Sequence, residues 1–527
     1  VPSAPRTSRT RSDVDAIVVG GGHNGLVCAA YLARGGLRTM LVEARDAVGG
    51  TAASEAFAGA RVNICNCDHI TFRTTPVMEE LRLADHGLAY LDVEPAQLNA
   101  AWSGGPAWPI FHDVERTVDA LARTHPGEVA GYRRYLAAAM PAVRLVLDAA
   151  NDPPSPRGIG TKVLAARGRG VSTLLRWSRR SAADVMREFF STDALQAPGI
   201  VTGPMVWGVS PELPGTGLGA LTYALRHVGT LGRPVGGSGM VPDALAAAFL
   251  SHGGELRTRA RVAAIDCEGP RVRGVTLDDG TEITAGVVVS ACNPHDTFLR
   301  WLRQAPPQAD RLLARWRRIP HDEGYESKVD AIVSEVPILA SIPDDLLAEV
   351  GDRAAGATAV VAPSLADIHR GHAMIARGEV LDEPGFLVNV PTVHDPSMAP
   401  EGGGHVLSLE ALFTPYGLRG GWASSPEPAR WLERLGGLVR GDFASTLREW
   451  RAMTPDRYER EFHLPAGHAT SFSGGPLAAL VNRHPELTRY RTPVEGLYLT
   501  GAATFPGAGV WGASGRNAAL TVLRRRG

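Results

Sequence analysis

Apolar residues run along this chain in two rhythms, and the changes between them mark its first elements. Residues 15–20 (DAIVVG) form a short continuous apolar run, as in a strand buried on both faces. Residues 24–32 are alanine-rich with helical spacing, and residues 39–43 (TMLVE) make a second short run. Together they predict a strand–helix–strand unit of about 30 residues. Further on, 241–252 reads as a helix, with Pro242 in its first turn and Gly253-Gly254 as its stop. Residues 255–258 and 261–266 read as strands. Residues 271–277 and 281–284 read as a hairpin closed at Asp279-Gly280, and 286–291 as a separate strand of a parallel sheet. At the C-terminal end the pattern gives a strand over 496–501, a glycine-rich loop over 506–512 and a helix over 513–524.

The turn inside the first unit carries Gly20-x-Gly22-x-x-Gly25 directly after the strand. Gly20 permits a tight turn, Gly22 lets a pyrophosphate approach the backbone, and Gly25 lets the helix pack on the strand. The helix start at His23 and Asn24 offers unpaired N–H groups and a positive dipole end to phosphate. Glu43 ends the second strand, where a carboxylate accepts from both adenosine ribose hydroxyls and repels a 2′-phosphate. Ala44, Arg45 and then Gly49-Gly50-Thr51 follow, giving a second close approach of backbone to pyrophosphate, which favours FAD over NAD. No second fingerprint follows a strand downstream; Gly236-Gly-Ser-Gly239 comes nearest. Val262 is the expected backbone partner of the adenine. In the last segment Gly501, Ala502, Gly509, Val510, Gly512 and Ala513 would bring a helix N-terminus to the flavin N1–C2=O edge.

Length and composition narrow the class. A chain of 527 residues exceeds one compact core and predicts two or three domains. A formal net charge of −1 gives no global electrostatic reason to bind nucleic acid. No apolar run is long enough to span a bilayer, and residues 1–12 are polar and basic, which predicts a flexible tail and not a secretory signal. The five cysteines form no CxxC pair and no metal-like spacing with histidine, so no metal site is expected. Cys65 and Cys67 read as reduced thiols, and the compartment as cytosolic.

The stretches GGGHNGLVCAAYLARGG, GGSGMVPDALAAAFLSHGGEL, VVVSACNP, DPSMAPEGGGHVLSL and YRTPVEGLYLTGAATFPGAGVWGASGRNAAL together resemble the phytoene-desaturase-like FAD oxidoreductases. The nearest branch is the pyridine nucleotide-disulphide oxidoreductase domain-containing flavoproteins, with carotenoid desaturases and isomerases and retinol saturase as wider relatives. The chain lacks a CxxxxC redox pair, so disulfide reduction is a poor reading. The resemblance implies an α/β fold: a Rossmann-like FAD-binding domain assembled from 13–75, 235–300 and 485–527, with an inserted α+β substrate domain from 76–234 and 301–484.

It also implies dehydrogenation of a CH–CH bond in a hydrophobic small molecule, with hydride passing to flavin N5 and oxygen or a quinone as final acceptor. No HExxH motif, P-loop or nucleophile elbow competes. Three other readings stay open: a redox-neutral isomerase needing reduced FAD, a flavin amine oxidase, and a non-catalytic flavin-binding protein. In related amine-oxidase-like flavoenzymes a lysine in the context of Lys328 holds a water at flavin N5; the alternative is a surface ion pair with Glu326 or Asp330. Trp511 is either an aromatic wall over the isoalloxazine or core packing, and His69 either faces the substrate or is a hydrogen-bonded structural histidine. Glu410 and His468 are further polar candidates. Residues 201–210 and 214–225 are apolar and glycine-rich, as in a pocket wall or a helical core. Residues 157–180 are basic without an acid, a pattern for an amphipathic helix on an anionic membrane, for a solvated helix or for a homo-oligomer contact.

Overall fold

The computed structural model describes residues 13–65, 68–320, 323–468 and 484–525. Residues 1–12 and Cys67 therefore lie outside the described residues. The first unit forms as expected: β1 (Val14–Val19), α1 (His23–Arg34) and β2 (Thr39–Val42). Around it, five parallel strands run in the order Leu497–Leu499, Glu282–Ser290, β1, β2 and Glu255–Arg257. Their continuous apolar sequences have a direct cause, because this sheet is covered on both faces. Ala16, Val18, Val287 and Val289 pack with α1 and with the helices Met240–Ser251 and Ala513–Leu523. Ile17, Val19, Val288 and Leu497 pack on the other side with Phe298 and Trp316.

One strand corrects the sequence reading. Residues 281–284 and 286–291 were expected as two strands but form a single one, Glu282–Ser290. Its first half pairs antiparallel with Arg271–Leu277 and its second half parallel with β1. Gly286 allows this because no turn residue stops the chain there, so one strand serves both ladders. Packing also carries the expected segments further along the chain. Val77, Leu81, Leu83 and Leu88 join the core of α1, and Ala309, Leu312 and Trp316 join the opposite core.

A second, seven-stranded sheet runs in the order Leu447–Met453, Glu326–Val333, His405–Leu412, Phe386–Asn389, Ala359–Ala362, Gln97–Ala101 and Trp108–Ile110. One face is apolar: Val329, Ala331, Val333, Leu407 and Leu409 pack with Trp431 and Leu435. The other face carries Glu326, Lys328, Asp330, Ser408, Glu410, Asn389, Asn99 and Gln97, by the two-residue alternation of the strands. Helices between Val129 and Val228 cover part of this polar face, and the hairpin Ser54–Phe57/Ala60–Asn63 covers another part. Residues 201–225 belong to that helical layer, where Val201, Met205, Ala220 and Tyr223 are core residues with Trp108, Tyr132 and Tyr135. The expected single basic helix over 157–180 is instead two, Pro156–Ala165 and Val171–Trp177. Arg167, Gly168 and Gly170 adopt positive φ between them, and a helix cannot pass through such a turn.

A buried ion pair fastens the second sheet to the segments that carry Asp68 and Arg233. Arg233 Nε donates to Asp68 at 2.7 Å with both side chains 3 % exposed. Arg233 also donates to Gly356 O at 2.6 Å, and Thr358 Oγ1 donates to Asp68 at 2.6 Å. Burial opposes an ionised Asp68, but Arg233, Arg226 and Thr358 outweigh it and hold the carboxyl below its usual range. Arg233→Met therefore leaves a buried carboxylate short of its counter-ion and should cost about 3–5 kcal/mol in urea unfolding at neutral pH. Because the folded pKa of Asp68 is depressed, its contribution is present above about pH 4 and fades as pH falls through the folded value. The gap between wild type and variant should narrow in that acidic range.

Candidate functional site

The fingerprint turn is built from backbone. Gly20 lies at φ +99°, and a Cβ on Gly25 would come within 2.0 Å of Gly20 O, so only glycine permits this approach of α1 to β1. Gly22 caps α1 without a side-chain bond, and a Cβ there would meet nothing within 4 Å. Gly49 N donates to Gly21 O, which draws the second glycine pair, Gly49-Gly50, against the first. Thr51 follows in a short turn, Gly50–Ala52.

Glu43 stands just past the end of β2 and accepts from Gly21 N at 2.6 Å and from Arg45 N at 2.8 Å. These bonds fix its carboxylate beside the turn and leave it lone pairs for a ribose. Ala260 N donates to Glu43 O, which brings Val262 to the same end of the sheet. Arg45, after Ala44, pairs with Glu55 at 3.0 Å and stacks on Phe462, and its Nη1 has no partner among the described residues.

From the other end of the chain, Gly501 N donates to Ser514 Oγ, and Gly512 caps the helix that begins at Ala513. Gly509 lies at φ +96° with open space at its Cβ position. His23 bonds to the Gly509 backbone, and Thr71 Oγ1 donates to Val510 O at 3.3 Å, so the fingerprint and the C-terminal loop meet. Two further buried atoms here, Asn24 Oδ1 and Trp511 Nε1, lack partners among the described residues. An open cradle of glycines, a held carboxylate and spare polar atoms fit a dinucleotide with a ring at the C-terminal loop.

The candidates for chemistry separate clearly. His69 is buried, with Nδ1 on Tyr90 Oη at 2.9 Å and Nε2 on Ser238 Oγ at 3.1 Å. Both ring nitrogens are engaged, and burial, with His23 nearby, lowers its pKa to about 3. Of the two readings of His69, these bonds match the hydrogen-bonded structural histidine and leave no ring nitrogen open toward a substrate. Burial likewise lowers His23 to about 4. Trp511 packs against the helical core.

Lys328 is not on the surface. It is 1 % exposed, its ammonium pairs with Asp330, and it donates to Asn63 O at 2.8 Å. Arg451 completes the group, pairing with Asp330 and with Glu55, both at 3.2 Å. Glu410 lies directly opposite Lys328 on the neighbouring strand. Glu326 lies two residues before Lys328 and contacts the Cys65 thiol at 3.8 Å. Burial pushes Glu326 up to about 7, and burial with the Glu326 carboxylate beside it pushes Glu410 up to about 8. His468 lies against Tyr325, which donates to Val206 O. Nothing in composition marks the Glu326–Glu410 pairing, because it depends on strand register. The one available signal is a glutamate inside the otherwise apolar run HVLSLEAL. Among the described residues no cluster of three or more His, Cys, Asp or Glu is arranged for a metal, and no helix is long and apolar enough to cross a membrane.

Comparison with known proteins agrees with this geometry. Residues 25–297 match the family model of the flavin containing amine oxidoreductases. Mouse pyridine nucleotide-disulfide oxidoreductase domain-containing protein 2 is 28% identical over 98% of this chain and 94% of its own length. Phytoene desaturase (lycopene-forming) of a Paracoccus species is 26% identical over 95% of each. The solved structure of putrescine oxidase bound to putrescine superposes with a TM-score of 0.64 at 17% identity, covering 97% of this chain and 99% of that one. The fold is that of the FAD-dependent amine oxidases, the cofactor is FAD, and the chain belongs to the flavin-containing amine oxidoreductase family as an FAD-dependent oxidoreductase.

Proposed function

We propose that this oxidoreductase dehydrogenates a CH–CH bond of a hydrophobic small molecule and passes the electrons on to oxygen or a quinone. Segments 13–75, 235–300 and 485–527 are taken as the FAD domain, extended by the packing to Leu88 and Trp316. The intervening stretches are taken as the substrate domain. The observation that carries the reading is the seam where the two meet. There the apolar residues Leu387, Leu412 and Trp511 pack with the helical core, while Glu326 meets Cys65 of the first segment and Lys328, opposite Glu410, holds Asn63 O of the same segment. The full-length likeness to a phytoene desaturase supports a hydrophobic substrate.

Bound FAD supplies a two-electron hydride acceptor. Gly20, Gly22, Gly25 and the N–H groups at His23 and Asn24 would hold its pyrophosphate, and Gly49, Gly50 and Thr51 would close on it. Glu43 would hold the ribose, with Ala44, Arg45 and Val262 around the adenosine. Gly501, Ala502, Gly509, Val510, Gly512 and Ala513 would bring the last helix to the flavin ring, with Trp511 beside it. Lys328 has one N–H donor left after Asp330 and Asn63 O, enough to fix a water or a polar substrate atom. One feature favours contact with a lipid surface as well: Leu164 is 79% exposed, with exposed Arg157, Arg167 and Arg169 near it in sequence.

Four outcomes test this. Gly22→Val meets no protein atom within 4 Å of its Cβ, so it should keep the wild-type melting profile yet lower FAD affinity by about tenfold or more, read as flavin absorbance per protein. Gly25→Val, whose Cβ would sit 2.0 Å from a carbonyl oxygen, should lower the melting temperature as well. Phytoene mixed anaerobically with the FAD-loaded protein should bleach the flavin and yield a more unsaturated product. An isomer of equal unsaturation, formed by the pre-reduced protein with no change in the flavin spectrum, would support the isomerase, and bleaching by an amine instead would support the amine oxidase. Charge reversal at Arg157, Arg167 and Arg169 should reduce sedimentation with anionic vesicles, and no sedimentation of the wild type would remove the membrane reading.

A further inference from the structure

Two carboxyls on the polar face of the second sheet stand apart from the other buried acids there. Asp330 pairs with Lys328 and Arg451, Asp68 with Arg233, and Glu55 with Arg45 and Arg451. Glu410 is 5% exposed, and its Oε1 is sealed from solvent with no hydrogen-bond partner among the described residues. Lys328 faces it across the strand pair but is engaged with Asp330 and Asn63 O. Glu326, on the same face, accepts from the Cys65 thiol at 3.8 Å, and no cation pairs with its carboxyl among the described residues. A buried carboxyl and a half-buried one beside it cannot both ionise cheaply, so together they retain a proton that single exposed acids would have lost at neutral pH. Their place is specific. Lys328 donates to Asn63 O and Tyr458 Oη donates to Ile64 O at 3.0 Å, so the chain leaving the FAD-holding segment crosses this pair, while Leu387 and Leu412 flank it with apolar surface.

We infer that Glu410 is the proton acceptor of this oxidoreductase, taking the proton its substrate loses alongside the hydride, with Glu326 sharing that proton. The inference rests on the dehydrogenase reading above. The step balances: one C–H bond breaks as hydride, taken up by the bound flavin. The neighbouring C–H bond leaves its electron pair in the new C=C bond and gives its proton to the Glu410 carboxylate. The final acceptor, oxygen or a quinone, departs with the hydride equivalent and that proton. Besides burial, the groups that set the titration of Glu410 are Glu326, Lys328 and Asp330 on the adjacent strand and Asp68 on the crossing segment; around them stand Cys65 against Glu326, Arg451 against Asp330 and Tyr458 on the helix Pro455–Phe462.

Spectroelectrochemical titration of the FAD-loaded full chain tests this without a substrate. An acceptor coupled to the flavin takes up one further proton per two-electron reduction across the range in which the pair titrates. That is an additional tenfold change in the reduction equilibrium per pH unit, about 30 mV. Wild type should show this steeper slope as pH rises toward 8, and Glu410→Gln should lose it. Glu326→Gln removes the like-charged neighbour and should keep the extra proton while moving its window to lower pH. A merely structural carboxyl would change the pH dependence of unfolding and leave the slope alone. Equal slopes in wild type and Glu410→Gln overturn the inference; should that variant fail to load FAD, an unmoved window in Glu326→Gln overturns it. Loss of the extra proton in Glu410→Gln, together with no oxidation of phytoene, keeps the acceptor and sinks only the desaturation reading. Failure of the wild type to take FAD sinks both.

Discussion

Helix α1 and the C-terminal helix touch backbone to backbone, and the site depends on that contact. A Cβ at Gly515 would stand 2.2 Å from Asn24 O, as a Cβ at Gly25 would stand 2.0 Å from Gly20 O. Two glycines far apart in sequence therefore let the fingerprint turn and the last helix lie on one sheet, with His23 reaching Gly509 between them. A larger residue at Gly515 separates the segments that would grip the two ends of one FAD, and one at Gly25 pushes α1 off the fingerprint turn. The continuous apolar strands then follow, because the helices brought this close bury the sheet completely.

The second sheet faces a different problem. Its polar face is buried, so each charge on it must be paired or neutralised. The structure does this unevenly. Arg233 and Asp68 tie the sheet to the segments that carry them, and Lys328, Asp330, Arg451 and Glu55 form a chain of ion pairs toward the hairpin. Glu326 and Glu410 are left to neutralise themselves with a proton, at the place where apolar helices and the FAD-holding segment meet.

The parts readable from sequence were those set by near neighbours in the chain. A strand, three glycines, a helix and an acid at fixed spacing specify β1, α1, β2 and the position of Glu43, because each is decided within a few residues. Readings that needed register or tertiary packing fared differently. Lys328 looks exposed beside Glu326 and Asp330 in sequence, yet its strand lies between two others and buries it. His69 is occupied by Tyr90 and Ser238, which no spacing rule brings together. The basic stretch over 157–180 did contain its own correction, since Gly168 and Gly170 break the helix that its charge pattern suggests. Glu410 was visible as a polar candidate, but its opposition to Lys328 exists only once the strands pair.

One physical cause assigns the proton chemistry of this interior. Burial disfavours whichever form of a group is charged, so it acts in opposite directions on histidines and acids. His23 and His69, the usual choices for proton transfer at neutral pH, are lowered to about 4 and about 3 and stay neutral. Glu326 and Glu410 are raised into the range that the histidines have left, up to about 7 and about 8. A proton acceptor works best with a pKa near the working pH, and here the carboxyls meet that condition while the imidazoles do not. The histidines are then free to serve as hydrogen-bonded struts of the cofactor turn, and the acids take the role that sequence reading assigns by habit to histidine.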